Sequence, residues 1–197
     1  RRLCRGGIEV VGFNRSQEIV ETLAKEEGMI PASSLRDAVE KLPSPRLVWL
    51  MLPCGAPNEQ AIEELIPILE QGDVIIDGGN SNYHDSQRRG AMVTQQGIGY
   101  VDSGTSGGIW GLANGYCLMV GGADNDVAQV IPALKVLAPS AEDGWAHVGP
   151  VGAGHFPKMI HNGTEYGMMQ ALAAGLALMK GNEEFNLDLA NISELWR

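Results

Sequence analysis

Short β-rich runs alternate with helical stretches through about the first three quarters of this sequence, and this alternation constrains the fold most. Strands are predicted at 8–13, 46–52, 73–76, 99–101, 116–120 and 145–148. Helices are predicted between them, at 16–27, 35–41, 59–70, 85–96 and 124–137. Strands that alternate with helices favour a mainly parallel sheet with helices on both faces. The sequence therefore predicts a doubly wound α/β domain.

The alternation stops at the glycine-rich run 149–154, and the sequence that follows it is typical of helices. A helix from about 152 to 180 would be roughly 40 Å long at 1.5 Å per residue, which is more than a small domain needs. Another helix is predicted at 186–196. We therefore predict two domains, a sheet domain at 1–150 and the beginning of an all-helical domain at 151–197.

The predicted sheet domain lacks the turn that opens a dinucleotide-binding fold. Such a fold begins with a strand and a Gly-x-Gly-x-x-Gly turn. Residues 1–7 instead resemble the last turn of a helix that ends in glycines. We expect the first strand and its glycine-rich loop to be missing from this sequence, and the helical domain to be incomplete.

Composition and charge argue against several functional classes. The chain has 14 Lys and Arg against 24 Asp and Glu, a net charge of -10, so no nucleic-acid partner is expected. No apolar run reaches the ~18–20 residues that span a bilayer, so no membrane partner is expected. The 3 cysteines are far apart, and no histidine lies at metal-ligand spacing. This pattern predicts reduced thiols in the cytoplasm and no bound metal.

Polar residues occupy one face of the long helix predicted after the glycine-rich run. Residues three, four and seven apart share a helix face, so Lys158, His161, Asn162 and Glu165 form one stripe about two turns long. A stripe at this spacing normally carries leucines, and burying four polar groups without a partner is costly. A polar ligand is the favoured interpretation. The alternative is a solvated face with an intrahelical Lys–Glu pair.

The first predicted strand ends in Asn14, Arg15 and Ser16, where a nucleotide-binding fold contacts the cofactor ribose. An arginine without an acidic neighbour suits the 2′-phosphate of NADP. The alternative is an ordinary strand-to-helix turn in which Ser16 is the N-cap.

Two glycine-rich turns follow later strands, where open parallel sheets bind ligands. The turn at 77–80 lets the backbone approach a ligand closely and presents the Asn80 amide, although an ordinary turn would have the same pattern. Ser106, Gly107 and Gly108 present a hydroxyl and consecutive backbone N–H groups, which can bind a carboxylate.

Taken in order, these segments resemble the decarboxylating 6-phosphogluconate dehydrogenase family, and the resemblance covers nearly the whole chain. The matching motifs are Asn14-Arg15-Ser16, Asp77-Gly78-Gly79-Asn80, Ser106-Gly107-Gly108, Gly152-Ala153-Gly154 and Lys158-x-x-His161-Asn162-x-x-Glu165-Tyr166. The last motif is specific, because 3-hydroxyacid dehydrogenases share its lysine and asparagine but generally lack the Glu-Tyr pair. The segments at 110–112 and 116–119 look most like the shorter bacterial branch.

The resemblance implies a Rossmann-like sheet domain and the oxidative decarboxylation of 6-phosphogluconate to ribulose 5-phosphate. Hydride would go to NADP, with NAD possible, in the pentose phosphate pathway or in gluconate utilization. A homodimer or a higher homo-oligomer is also implied. Lys158 would be the general base, and Glu165 would protonate the enediol carbon. The implied substrate ligands are Asn80, Ser106, Gly107, Gly108, His161, Asn162 and Tyr166. The implied cofactor ligands are Asn14, Arg15, Ser16, Leu52, Pro53 and Asn80.

Two other functions stay open at this stage. A 3-hydroxyacid dehydrogenase of the 3-hydroxyisobutyrate type would oxidise its substrate without decarboxylating it. An inactive, truncated relative would only dimerise through its helical segment. The choice between NADP and NAD is open too, because the shorter branch includes NAD-using members and the loop at 52–55 lacks a lysine that many members carry there.

Overall fold

Two sheets form in the first part of the chain, and the larger one has the predicted topology. The computed structural model describes residues 1–196. Strands β1 (Val11–Gly12) and β2 (Ile30–Pro31) pair in parallel as a two-stranded sheet. The second sheet contains, in spatial order, β3 (Leu47–Leu50), β4 (Val74–Asp77), β5 (Gly99–Ser106), β6 (Cys117–Gly122) and β7 (Trp145–Gly149). All neighbours in this sheet are parallel except β5 and β6, so the predicted mainly parallel, Rossmann-like α/β fold is confirmed.

Helices connect the strands and then continue alone. They are α1 (Arg2–Arg5), α2 (Gln17–Glu27), α3 (Leu35–Glu40), α4 (Ala56–Leu65), α5 (Tyr83–Thr94), α6 (Gly111–Asn114), α7 (Asp124–Leu137), α8 (His155–Gly181) and α9 (Leu189–Leu195). Short 3-10 turns lie at Ile66–Ile68 and Gly108–Trp110. The described chain divides into two compact units, Arg1–Lys158 and a second that begins at Met159. The division between 150 and 151 that we predicted for the domains stays a prediction.

Both faces of the large sheet are buried, as a doubly wound fold requires. Successive residues of β4 point to opposite faces. Ile75 packs with α4 and α5 residues such as Ile62 and Val93, whereas Ile76 packs on the other face with Val130 and Leu134 of α7. Burial on both faces explains why β4 is a continuous apolar run rather than an alternating one.

The structure corrects several predicted boundaries. Strand β5 continues to Ser106, although the sequence predicted a strand only at 99–101, because β6 pairs with its second half in antiparallel register. The two-residue strand β2 was not predicted at all. The Ser16 side chain does not cap α2; instead, the backbone N–H of Ser16 donates to the Asn14 side chain at 2.9 Å. Helix α4 begins at Ala56, earlier than expected, because Gly55 supplies a turn at φ 83°.

Glu59 on α4 holds α5 through paired ionic hydrogen bonds. Both its carboxylate oxygens accept from the Arg88 guanidinium, at 2.7 and 2.6 Å, and Arg89 Nε donates at 2.9 Å. Arg89 is buried, so it depends on this carboxylate for much of its hydrogen bonding. These donors, Arg88 first, lower the pKa of Glu59 to about 2.

We expect Glu59→Gln to lower the free energy of unfolding at pH 7 by about 2 kcal/mol, since an ion pair that holds a buried arginine is lost. The folded-state pKa of Glu59 is depressed, so its contribution is complete above the ordinary glutamate pKa. It is lost as the pH falls from there toward about 2. Urea unfolding at pH 7 and at about pH 3 should therefore show a smaller difference between variant and wild type at the lower pH. Glu63→Gln, at an exposed position on the same helix, is the matched control. Equal effects of the two variants would contradict this account.

The second unit is helical throughout its regular structure. It contains the part of α8 from Met159 onward and the short helix α9, whose N-cap Asp188 accepts a hydrogen bond from the Asn191 N–H at 3.1 Å. Within the described residues, we find no helix with both the length and the apolar character that a membrane span requires.

Candidate active site

A cleft of about 490 Å³ lies where three neighbouring strands of the large sheet end. It collects residues that follow β3 and β4, the last residues of β5 and the turn after β5. Ligands of open α/β sheets bind outside the carboxyl ends of the strands, which is the position of this cleft. The cleft brings together six residues predicted to bind substrate or cofactor: Leu52, Pro53, Asn80, Ser106, Gly107 and Gly108. Gly78 and Gly79, from the turn predicted to approach a ligand, also line the cleft, whereas Met51, Thr105 and Tyr116 were not predicted as ligands.

The loop that carries Asn80 is fixed from beneath by a buried carboxylate. One Asp77 oxygen accepts hydrogen bonds from Asn58 Nδ2 at 2.7 Å and Ser81 Oγ at 2.8 Å. The other oxygen accepts from the Gly79 backbone N–H at 3.2 Å. Asp77 is fully buried and Arg89 Nη1 lies 3.6 Å from it, so the charge has a partner. This network holds the loop before any ligand arrives.

Tyr100 completes the same network from β5. Its hydroxyl donates to Asp77 at 3.3 Å. Burial, followed by the nearby Asp77 charge, raises the pKa of Tyr100, so the hydroxyl remains a donor at neutral pH. Asp77 and Tyr100 had no predicted role, although an aspartate that ends an apolar strand is a usable sequence signal.

The turn after β5 leaves backbone groups open to a ligand. Gly107 and Gly108 adopt positive φ angles of 148° and 47°, which favour glycine. A Cβ on Gly108 would meet no atom within 4 Å, so the space beside it is free for a bound group. Gly79 is different, since a Cβ there would come within 2.6 Å of the Leu52 carbonyl oxygen. Glycine therefore allows the loops after β3 and β4 to lie in contact.

Lys158 lies near the start of α8, where the helix meets β5. Its side chain is buried, with a relative exposure of 8%. A Cβ on Gly104 of β5 would come within 2.6 Å of Lys158 Cβ, so strand and helix are in direct contact here. The Lys158 side chain therefore belongs to the first unit and packs against β5, the strand that ends at Ser106.

The N-terminus of α8 is fixed by Asp102, in the middle of β5. Its two oxygens accept the backbone N–H groups of Gly152 at 2.7 Å and His155 at 2.8 Å. His155 Nδ1 lies 2.7 Å from the Ser86 hydroxyl of α5, and all three side chains are buried. Burial raises the pKa of Asp102, and the backbone donors partly offset that rise. The sequence predicted no role for Asp102.

The remaining stripe residues lie in the second unit. His161 and Glu165 are about half exposed, and His161 Nδ1 is 3.9 Å from Glu165 Oε2. Tyr166 is 71% exposed, whereas Asn162 is partly buried. Within this unit the stripe is accessible to a ligand rather than buried in a core.

The predicted ribose-contacting residues follow β1. Asn14, Arg15 and Ser16 are exposed, and none of them lines the cleft at the ends of β3 to β5. A second cleft, of about 550 Å³, has Ser16 in its lining but none of the other predicted site residues. We therefore regard the cleft at the strand ends as the candidate site, because the predicted chemistry is concentrated there.

Two family models match the chain, one over the sheet domain and one over the helical region. Residues 1–149 match the family model described as the NAD binding domain of 6-phosphogluconate dehydrogenase. Residues 154–197 match the C-terminal domain of the same enzyme. Fold, cleft and matches together place the chain in the class of Rossmann-like dehydrogenases with an NAD-binding domain. Within that class, the chain belongs to the 6-phosphogluconate dehydrogenase family.

Individual relatives have the same family name. The NAD(+)-dependent, decarboxylating 6-phosphogluconate dehydrogenase of Haloferax volcanii is 38% identical over 99% of this chain and 63% of its own length. The decarboxylating enzyme of Salmonella typhimurium is 40% identical over 96% of this chain and 42% of its own. The chain thus spans less than two thirds of the length of these relatives.

Solved structures show the same fold. The 6-phosphogluconate dehydrogenase of Plasmodium falciparum superimposes with a TM-score of 0.84 at 29% identity, over 94% of this chain and 41% of that one. The 3-hydroxyisobutyrate dehydrogenase of Mycobacterium tuberculosis gives a TM-score of 0.81 at 24% identity, over 91% and 59%. The fold alone therefore does not separate the two reactions.

Proposed function

We propose that this chain carries the catalytic lysine and acid of a decarboxylating 6-phosphogluconate dehydrogenase, together with a domain that binds its cofactor. The observation that carries this proposal is the cleft at the strand ends, with Lys158 on the adjoining helix and Glu165 seven residues further along it. The reaction would oxidise the 3-hydroxyl of 6-phosphogluconate, release carbon dioxide and yield ribulose 5-phosphate.

The cradle at the end of β5 suits the substrate carboxylate. Ser106 supplies a hydroxyl, Gly107 and Gly108 line the same cleft, and the space beside Gly108 is free. Backbone N–H groups in such a turn bind an anion without adding a mobile side chain. The Asn80 amide, fixed through the Asp77 network, would orient a substrate hydroxyl. In the second unit, His161 and Asn162 would orient further hydroxyls, and Tyr166 would contact the phosphate.

Lys158 would act as the base. A neutral lysine amine takes the proton of the substrate hydroxyl while hydride departs, and the resulting ammonium then returns a proton to the carbonyl oxygen. As this proton is returned, the bond to the carboxylate carbon breaks and carbon dioxide leaves. The electron pair of that bond forms the carbon–carbon double bond of an enediol. Glu165 would then donate a proton to the enediol carbon while the neutral Lys158 amine takes the proton of the enediol hydroxyl, which leaves the ketone of ribulose 5-phosphate.

The residues present fit a nicotinamide dinucleotide. Met51, Leu52 and Pro53 give one side of the cleft apolar character, and the Asn80 amide supplies a polar partner. When bound there, the cofactor would accept the hydride. Arg15, exposed after β1 with no acidic neighbour in 14–16, suits a 2′-phosphate, so we propose NADP as the preferred cofactor. We also propose that the protein acts as a homodimer or higher homo-oligomer in the cytoplasm.

The decisive experiment mixes the native protein with 6-phosphogluconate and either NADP or NAD. Reduced-nicotinamide absorbance and carbon dioxide release are measured together, and the two should rise in equal amounts. Turnover of 3-hydroxyisobutyrate without carbon dioxide would instead favour the non-decarboxylating relatives, whose fold this chain shares. Absence of nicotinamide binding in a fluorescence titration would support the inactive relative.

Arg15→Ala should lower kcat/KM for NADP by about 10- to 100-fold, because a charge-assisted hydrogen bond to phosphate contributes about 1.5–3 kcal/mol. The value for NAD, which has no 2′-phosphate, should hardly change. Steady-state kinetics with each cofactor measure both values, and Lys25→Ala, which removes an exposed cation on α2, is the control. Equal losses with NADP and NAD would assign Arg15 a role unrelated to the 2′-phosphate.

A further inference from the structure

Strand β5 contacts the start of α8 at two successive positions of one face and reaches the cleft at the third. Residues two apart on a strand point to the same side. Asp102 accepts the N–H groups of His155, the first residue of α8, and of Gly152 in the turn before it. Gly104 lies against Lys158, and Ser106 lines the cleft. The anchoring Asp102, the glycine that contacts the proposed base and the predicted carboxylate site therefore follow one another along β5.

Asp102 is well suited to fix the helix. The first N–H groups of a helix have no partner within it, and a carboxylate that accepts them also interacts favourably with the helix dipole. Asp102 accepts one such group, the N–H of His155, and also accepts the N–H of Gly152 in the turn before the helix; because Asp102 is fully buried, water cannot replace it. Lys158 follows His155 by three residues, less than one turn of the helix.

Glycines remove the space that would let the helix shift. A Cβ on Gly121 of β6 would come within 2.7 Å of the Gly154 backbone nitrogen, and one on Gly104 within 2.5 Å of the Gly154 oxygen. The backbone just before α8 is thus in direct contact with the backbone of β5 and β6. A change at Asp102 would be transmitted to Lys158 rather than absorbed in a gap.

We infer that Asp102 is a positioning residue: through the first turn of α8 it sets the Lys158 amine against the carboxylate cradle at 106–108. This inference rests on the proposed function for its kinetic consequence. The anchoring itself can be tested without substrate.

Asp102→Asn removes the charge and leaves only one acceptor oxygen on the side chain. In the native protein, it should lower kcat for 6-phosphogluconate by about 100-fold, because a base displaced by about 1 Å loses that much. The Kd for the cofactor should change by less than about twofold. Without substrate, Lys158 should react faster with trinitrobenzenesulfonate, as measured by peptide mass spectrometry.

Asp73→Asn is a matched control at the other end of the sheet. Asp73 is also buried and accepts two backbone N–H groups, from Arg46 at 2.6 Å and Glu70 at 2.9 Å, but it precedes β4. The control should lower the thermal midpoint, yet leave kcat and Lys158 labelling unchanged. Equal kinetic losses in the two variants would reduce Asp102 to a general structural role and overturn the inference.

Other outcomes are equally decisive. Wild-type kcat and Lys158 labelling in Asp102→Asn would overturn the inference while the proposed function stands. Failure of wild-type protein to turn over 6-phosphogluconate would overturn the proposed function, and the labelling comparison would still decide the anchoring. If Asp102→Asn does not fold, the smaller and uncharged Asp102→Ser, which adds no bulk beside α8, is measured in the same way. An unchanged kcat in that variant would show that Asp102 does not set the lysine.

Discussion

Replacement of Lys158 by methionine should lower the kcat for 6-phosphogluconate by about 10³-fold, since methionine cannot accept the hydroxyl proton. Methionine fills a similar volume without charge, and the lysine side chain is largely buried, so we expect the fold to survive. Cofactor affinity should be preserved, because the amine acts on the substrate. Steady-state kinetics give kcat, and nicotinamide fluorescence gives the cofactor Kd.

Lys180→Met makes the same change near the other end of α8 and should behave as wild type. A Lys158→Met variant that kept more than about a tenth of the wild-type kcat would remove Lys158 from the role of base. The loss of cofactor binding in that variant would point to misfolding of the junction between β5 and α8 instead.

Glu165→Gln should separate the steps of the reaction. Hydride transfer and carbon dioxide release in the first turnover should remain, because Lys158 is the residue that we propose assists both steps. Formation of ribulose 5-phosphate over many turnovers should fall by about 100-fold, since glutamine cannot protonate the enediol carbon. Rapid mixing, with carbon dioxide and reduced nicotinamide followed together, distinguishes these stages.

Glu183→Gln, at an exposed position beyond α8, is the control and should leave all stages unchanged. If Glu165→Gln left ribulose 5-phosphate formation intact, another acid would have to be sought. A variant that slowed even the first hydride transfer would indicate that Glu165 acts before decarboxylation. Turnover of a 3-hydroxyacid that is not decarboxylated should be affected much less.

The fold class was predictable because strand and helix signals alternate regularly and β3 and β4 are strongly apolar. Strand β5 was predicted too short. Its second half consists of serine, glycine and threonine, which normally indicate a loop, and its strand conformation depends on pairing with β6. Tertiary contacts override local propensity there.

The candidate site was predictable only in part. Glycine-rich turns after strands indicated the loops that line the cleft, and the family resemblance indicated which residues in them to consider. The roles of Asp77 and Asp102 were not predictable, because their hydrogen-bond partners lie far away in sequence, such as Asn58 for Asp77 and Gly152 for Asp102. The catalytic and ligand-binding roles of the predicted residues remain predictions.

The backbone contact between β5, β6 and α8 also determines which mutations the protein can accept during evolution. Gly104, Gly121 and Gly154 do not have positive φ angles, yet any side chain at these positions would collide with neighbouring backbone. Selection should therefore keep glycine at all three positions, even where the substrate or cofactor changes. Glycine at these positions in related dehydrogenases would reflect the packing of helix against sheet, and it would not by itself identify a ligand site. Gly108 differs from these three, since a side chain there would meet open space and the positive φ angle is what favours glycine.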